Sequence, residues 1–167
     1  MKNNFRTTAA LVAEAILFCI LAHSALAQTN LKEAHLTTHA TGPFEVKITP
    51  ADEKSDDPLL GRLVLDKQFH GDLDAISKGQ MLTAGTPVKG SGAYVAIEKV
   101  TGTLHGRSGS FVLQHTGTMT QGAPLLTIAV VPDSGTGQLA GIAGKMTINI
   151  ADGKHSYDLE YTLPTVQ

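Results

Sequence analysis

Apolar and polar residues alternate along the chain from Gly92 to Leu163, and Gly, Pro or Asp-Gly interrupts the alternation about every ten residues. Successive side chains of a β-strand point to opposite faces, so the alternation predicts strands with one buried and one solvated face. Short strands separated by regularly spaced turns are typical of antiparallel sandwiches and barrels. The pattern therefore predicts an all-β antiparallel fold, but it does not by itself specify a reaction.

One hairpin is predicted from the pair Asp152-Gly153, because Asp-Gly favours a two-residue type I′ turn in which Gly supplies a positive φ. A turn at this position pairs Ile150 with His155 and Ile148 with Tyr157. All the apolar residues of the hairpin then share one face, whereas a slip of one residue would divide them between the two faces.

A second hairpin is predicted around Gly106-Arg107, and it places Glu98 directly opposite His115. Directly opposed residues on antiparallel strands have Cβ atoms about 4.5–5.5 Å apart, within reach of a carboxylate–imidazole hydrogen bond. The face that carries this pair also carries most of the apolar residues, and we predict that it is the interior. Its other members are Tyr94, Ala96, Val100, Leu104, Phe111 and Leu113.

The patterns elsewhere in the chain are weaker. Leu60 to Ile76 is predicted as one long strand or a bent pair, in which Gly71 marks a bulge or a bend. Lys78 to Gly92 is rich in Gly, Ser and Thr, and is predicted as a long connection with a short edge strand around Met81. Leu125 to Val131 is continuously apolar and is predicted as a strand with both faces partly covered.

The N-terminus has the three parts of a secretory signal peptide. Lys2 and Arg6 supply its positive charge, Ala15 to Ala22 is apolar, and Ala25-Leu26-Ala27 is a small-x-small cleavage site. The apolar run is well short of the roughly 20 residues that span a bilayer, so we expect no membrane anchor after cleavage. The predicted division is a signal peptide over 1–27 and one domain over 28–167, located in the periplasm or secreted.

Composition excludes several kinds of function. The single cysteine, Cys19, lies in the predicted signal peptide, so the domain has neither disulfides nor a thiol nucleophile. The chain has a net charge of −2 and no basic block, which disfavours nucleic-acid binding. The acidic run Pro50 to Pro58 and the pair His35 and His39 lack the spacing of metal ligands. We therefore expect no metal and no cofactor.

Four segments carry recognisable motifs: Tyr94-x-Ala-x-Glu98-x-Val-x-Gly102, Gly106-Arg107-Ser-Gly109-Ser-Phe111-Val-Leu-Gln114-His115, Val131-Pro132-Asp133-Ser134-Gly135-Thr136-Gly137-x-Leu-x-Gly-x-x-Gly144 and His155-x-Tyr157-x-Leu-x-Tyr161. Together they resemble a bacterial family of domains of unknown function that looks structurally similar to allene oxide cyclase and is calycin-like. The resemblance covers nearly all of Leu36 to Leu163. It implies an antiparallel barrel of about eight strands with an apolar pocket. The catalytic residues of the cyclases are not found at matching positions, so no reaction follows from it.

The residues that could carry a function are the pair Glu98 and His115. A buried Glu–His pair is more often a satisfied structural contact, and the two alternatives are that it orients a ligand or that it carries out acid–base catalysis. Three functions stay open: binding of a small apolar ligand inside the barrel, an isomerase or cyclase that uses this pair, and a structural or interaction protein with a filled barrel. The sequence leaves the oligomeric state open, and a homodimer is compatible with it. The residues expected to line a ligand cavity are Tyr94, Phe111, His155, Tyr157 and Tyr161.

Overall fold

Eight long antiparallel strands close into a barrel in a computed structural model that describes residues 36–51 and 56–164. The strands are β1 (Thr38–Pro50), β2 (Leu60–Phe69), β3 (Leu73–Gly85), β4 (Gly92–Leu104), β5 (Arg107–Thr120), β6 (Ala123–Val130), the two-residue β7 (Thr136–Gly137), β8 (Ala143–Ala151) and β9 (Lys154–Thr162). Around the barrel the order is β1-β2-β3-β4-β5-β6-β8-β9, and β9 pairs with β1. Among the described residues we find no helical segment with the length and apolarity of a transmembrane span.

The β8–β9 hairpin has the predicted register. Ile150 pairs with His155 and Ile148 with Tyr157, around a turn at Asp152-Gly153. Both turn residues have positive φ, 52° and 73°, as a type I′ turn requires. The register predicted from the Asp-Gly signal is confirmed.

The β4–β5 hairpin has a different register, because its turn is His105-Gly106 rather than Gly106-Arg107. Both turn residues have positive φ, 47° and 77°, so this is a type I′ turn with Gly in the second position. Glu98 consequently pairs with Leu113, and His115 with Ala96. The predicted register was wrong by two residues. Since side chains alternate with a period of two, an even shift leaves the interior face unchanged.

The segment predicted as one long strand or a bent pair, Leu60 to Ile76, is a hairpin of two antiparallel strands, β2 and β3. The chain reverses at Gly71, whose φ is 92°. A Cβ there would also lie 2.7 Å from the carbonyl oxygen of Thr41, so only glycine fits. The prediction of a long connection from Lys78 to Gly92 was wrong as well, since β3 continues to Gly85. The strand was not recognised there because Gly79, at an inward position, interrupts the alternation of apolar and polar residues.

One end of the barrel is closed by residues 131–142, which connect β6 to β8. Leu139 and Ile142 from this segment are buried against the core. The Thr136 hydroxyl accepts a hydrogen bond from the backbone N–H of Ser110, and the Ser134 hydroxyl accepts one from the backbone N–H of Val112. These two hydrogen bonds hold the segment to β5. The segment therefore acts as a plug at this end.

The seam between β6 and β8 is short. Among the described residues, two pairs join these strands, Ile128 with Met146 and Ala129 with Lys145. The remaining parts of both strands diverge towards the other end of the barrel. Leu125 is 69% exposed there, so the prediction that both faces of β6 are partly covered is wrong for its first half.

Candidate functional site

The end of the barrel opposite the plug is open and contains a cavity of about 620 Å³, which we call the cup. Its wall is mostly apolar and comes from the inward side chains of all eight long strands. Two buried polar side chains, Lys67 and His115, also line it. The apolar wall includes Phe44, Val46, Ile48, Leu65, Met81, Tyr94, Met119, Leu126, Ile148 and Ile150.

A buried polar cluster at the bottom of the cup is centred on the Glu98 carboxylate. Oε1 of Glu98 accepts hydrogen bonds from Lys67 Nζ at 2.7 Å and from His115 Nε2 at 2.8 Å. Its other oxygen, Oε2, accepts one from the Ser77 hydroxyl at 2.7 Å. Glu98 and Ser77 are fully buried, and Lys67 and His115 are 6% and 3% exposed. Both carboxylate oxygens therefore have donors, as a buried charge requires.

The four members of the cluster come from four adjacent strands, β2 to β5, and each lies at an inward position. Glu98 has room because its neighbour on β3 is Gly79. A Cβ at position 79 would lie 2.5 Å from the Cβ of Glu98. The small neighbour thus lets a long acidic side chain lie across β3 and reach β2.

Glu98 is ionised at neutral pH. Burial alone would raise the pKa of its carboxyl, but the hydrogen bond from His115, the charge and hydrogen bond of Lys67 and the hydrogen bond from Ser77 outweigh burial and lower that pKa to about 2. A carboxyl group with this pKa cannot donate a proton near pH 7. Its role in the cup is that of a fixed anion that orients Lys67 and His115.

Lys67 was missed by the sequence analysis. Its ammonium lies over two adjacent phenyl rings, 5.5 Å from the centroid of Phe44 and 5.8 Å from that of Phe69. These contacts are in the range of cation–π interactions. The signal was present in the sequence, since Lys67 belongs to the same odd-numbered series as Leu65 and Phe69.

His115 has one ring nitrogen left for a ligand. Its Nε2 donates to Glu98, while Nδ1 has no hydrogen-bond partner within the described part of the chain. No fully buried polar side-chain atom in that part lacks a partner, so Nδ1 must border open space. With Nε2 protonated, Nδ1 presents a lone pair and can accept a proton or a hydrogen bond.

Two of the predicted lining residues, Tyr94 and His155, do line the cup. The Tyr94 ring lies across Gly117 on β5, in the space that a Cβ at Gly117 would fill. Burial, together with the negative charge of Glu98, raises the pKa of the Tyr94 hydroxyl, so this hydroxyl stays protonated and can donate. The His155 ring packs at 5.2 Å from that of Phe44.

Three other predicted lining residues lie in the closed half of the barrel. Phe111 is fully buried in the core. The Tyr157 hydroxyl accepts a hydrogen bond from the backbone N–H of Leu73 and donates one to the carbonyl oxygen of His70, each with a donor–acceptor distance of 2.9 Å. The Tyr161 hydroxyl lies 2.8 Å from Nδ1 of His105. All three have the expected inward orientation, but none borders the cup.

A second and larger depression lies outside the barrel, with a volume of about 910 Å³. Most of its lining residues point outward from β2 to β5, for example Gln80, Ile97 and Lys99. The cup is the stronger candidate site, because the buried Lys67 borders it and concave apolar cavities with a few polar groups are typical of ligand sites. Within residues 36–51 and 56–164, no group of three or more histidine, cysteine or acidic side chains could hold a metal ion.

The comparisons with known proteins agree on one family. Residues 40–161 match the family described as "Protein of unknown function (DUF3224)". A solved structure from this family, a protein of unknown function from Shewanella oneidensis MR-1, is 49% identical in sequence. The match covers 77% of this chain and 100% of that one, with a TM-score of 0.72. No curated protein matches the chain.

Proposed function

Because the chain belongs to the DUF3224 family, whose function is unknown, the cup itself must indicate a role, and we propose that the protein binds a small apolar molecule there. The observation that carries this proposal is the half-filled barrel. The plug and core fill one end, while about 620 Å³ at the other end is lined by apolar side chains. This volume is in the range of pockets for small molecules.

The polar cluster gives the cup a bottom that can orient a ligand. Lys67 and Tyr94 can donate hydrogen bonds, and Nδ1 of His115 can accept one. Burial of an apolar body against the wall supplies affinity, at about 25 cal/mol per Å² of apolar surface. A polar group on the ligand would then be fixed at the bottom of the cup.

The remaining expectations belong to the same proposal. Export to the periplasm or the exterior rests on residues 1–27, which lie outside the described residues. Likeness to allene oxide cyclase rests on the motifs alone. An isomerase or cyclase that uses Glu98 and His115 as an acid–base pair receives less support, because a carboxyl with a pKa of about 2 is no proton donor at neutral pH. A structural protein with a filled barrel is disfavoured by the open cup.

The test is displacement of a neutral fluorescent probe, N-phenyl-1-naphthylamine, together with native mass spectrometry of the purified protein for a bound small molecule. Met81→Trp places a large ring in the cup, whereas Leu82→Trp places the same ring on the outer face of the same strand. We expect Met81→Trp to weaken probe binding about tenfold or more, equivalent to about 1.4 kcal/mol. Leu82→Trp should leave it unchanged. Equal effects of the two variants, or no probe binding to the unmodified protein, would contradict the proposal.

A further inference from the structure

The charges at the bottom of the cup are balanced before any ligand binds. The Lys67 ammonium and the Glu98 carboxylate lie 2.7 Å apart. Among the described residues, Lys67 is the one buried lysine and Glu98 is the one buried acidic residue. His115 donates a further hydrogen bond to the carboxylate through Nε2, and a neutral imidazole can donate this hydrogen bond.

An ion entering this site would disturb the balance. A carboxylate ligand could approach Lys67, but Glu98 already neutralises that cation, so a second negative charge would be buried without its own counter-ion. An ammonium ligand would meet the reverse problem beside Lys67. Burying an uncompensated charge is strongly unfavourable in a low-dielectric interior.

An uncharged hydrogen-bond acceptor avoids this cost and meets unused donors. A lysine ammonium has three N–H groups, and Glu98 takes one from Lys67. The Tyr94 hydroxyl has no hydrogen-bond partner within residues 36–51 and 56–164, although Tyr94 lines the cup. A carbonyl oxygen has two lone pairs and no proton to donate, so it can accept a hydrogen bond from either donor without bringing a charge into the cup.

We therefore propose that the ligand of the cup is an uncharged apolar molecule with a carbonyl oxygen, such as a ketone, an aldehyde or an ester, and not an organic anion or cation. The proposal rests on the cup being the binding site. It adds the chemical class of the ligand and the residues that select it: Lys67 and Tyr94 as donors, and Glu98 as the group that excludes anions.

The experiment compares three probes of similar length at pH 8: decan-2-one, decanoate and decylammonium. Each competes with N-phenyl-1-naphthylamine for the unmodified protein. We expect decan-2-one to bind at least about tenfold more tightly than either ion, because only the ions leave a charge uncompensated. Equal or tighter binding of decanoate or decylammonium would overturn the assignment of the ligand class. If the naphthylamine itself did not bind, the proposed function would fail, and this inference with it.

Glu98→Gln provides a sharper test, because it removes the anion and leaves the Lys67 cation without a counter-ion. Decanoate can then replace the missing carboxylate, so its affinity relative to decan-2-one should rise by about tenfold or more and the preference should move towards the anion. Glu45→Gln is the matched control. It is the same chemical change at an exposed position outside the cup, and it should leave the preference unchanged.

A double variant covers the case in which Glu98→Gln does not fold. Lys67→Met with Glu98→Gln removes both charges, so the cup bottom stays neutral and decan-2-one should still bind more tightly than decanoate. Tight decanoate binding to the double variant would show that the Lys67–Glu98 balance does not select the ligand, and the proposal would be refuted.

Discussion

Replacing Glu98 by Gln should greatly destabilise the fold, although the two side chains have nearly the same size. The pKa of Glu98 falls from an ordinary value of 4.5 to about 2 in the folded protein. At 1.36 kcal/mol per unit, this difference corresponds to about 3 kcal/mol of folding free energy at neutral pH. An independent argument gives a similar figure, since removing one partner of a buried ion pair costs about 3–5 kcal/mol. Here the partner left behind is Lys67.

Urea unfolding followed by far-UV circular dichroism measures this loss as a change in the free energy of unfolding. We expect Glu98→Gln to lose about 3 kcal/mol, and the exposed control Glu45→Gln to lose less than about 0.5 kcal/mol. The double variant Lys67→Met, Glu98→Gln should recover part of the loss, because an uncharged pair needs no counter-ion. The double-mutant cycle then isolates the coupling between the two groups.

Two results would refute the reasoning. A loss below about 1 kcal/mol for Glu98→Gln would mean that the carboxylate is not held by its three donors in the folded state. Additive effects of Lys67→Met and Glu98→Gln would mean that the two side chains do not interact, despite a separation of 2.7 Å.

Two further predictions concern pH and the closed end of the barrel. The pKa of Glu98 is lower in the folded protein than in the unfolded chain, so the ionised carboxylate stabilises the fold fully above pH 4.5, and this stabilisation is lost as the pH falls towards about 2. The free energy of unfolding should therefore fall over this pH window, and it should fall less steeply in Glu98→Gln. Tyr157→Phe should cost about 1–3 kcal/mol in urea unfolding, because it leaves the buried N–H of Leu73 without its acceptor, whereas Tyr94→Phe, which removes a hydroxyl without a partner among the described residues, should cost little. Similar losses in the two variants would contradict the second prediction.

The sequence was sufficient to predict which way side chains face, because facing depends only on the even or odd position along a strand. Glu98 and His115 were expected on one interior face, and they do meet there, although diagonally across the ladder. The register of the pair was wrong because the turn of the β4–β5 hairpin was placed one residue too far along the chain. His105 is not a residue that a search for Asn-Gly or Asp-Gly turns would select, yet its φ of 47° shows that it fills the first position of a type I′ turn.

The depth of a side chain inside the barrel could not be read from alternation. Tyr157 and His155 both point inward from β9, yet one supports the closed half and the other borders the cup. The difference depends on where residues 131–142 fold across the barrel, and no local pattern specifies that. Lys67 and Ser77 were missed for another reason, since only the apolar members of their odd-numbered series were considered.

The even spacing of the β4–β5 hairpin has a consequence for how such a chain tolerates change in length. Gaining or losing two residues near the His105-Gly106 tip keeps every inward side chain on the inner face, so the contact between Lys67 and Glu98 survives. Gaining or losing one residue would move the inward side chains of one strand to the outer face, unless a β-bulge accommodated the change. Viable insertions and deletions at this tip should therefore come in pairs.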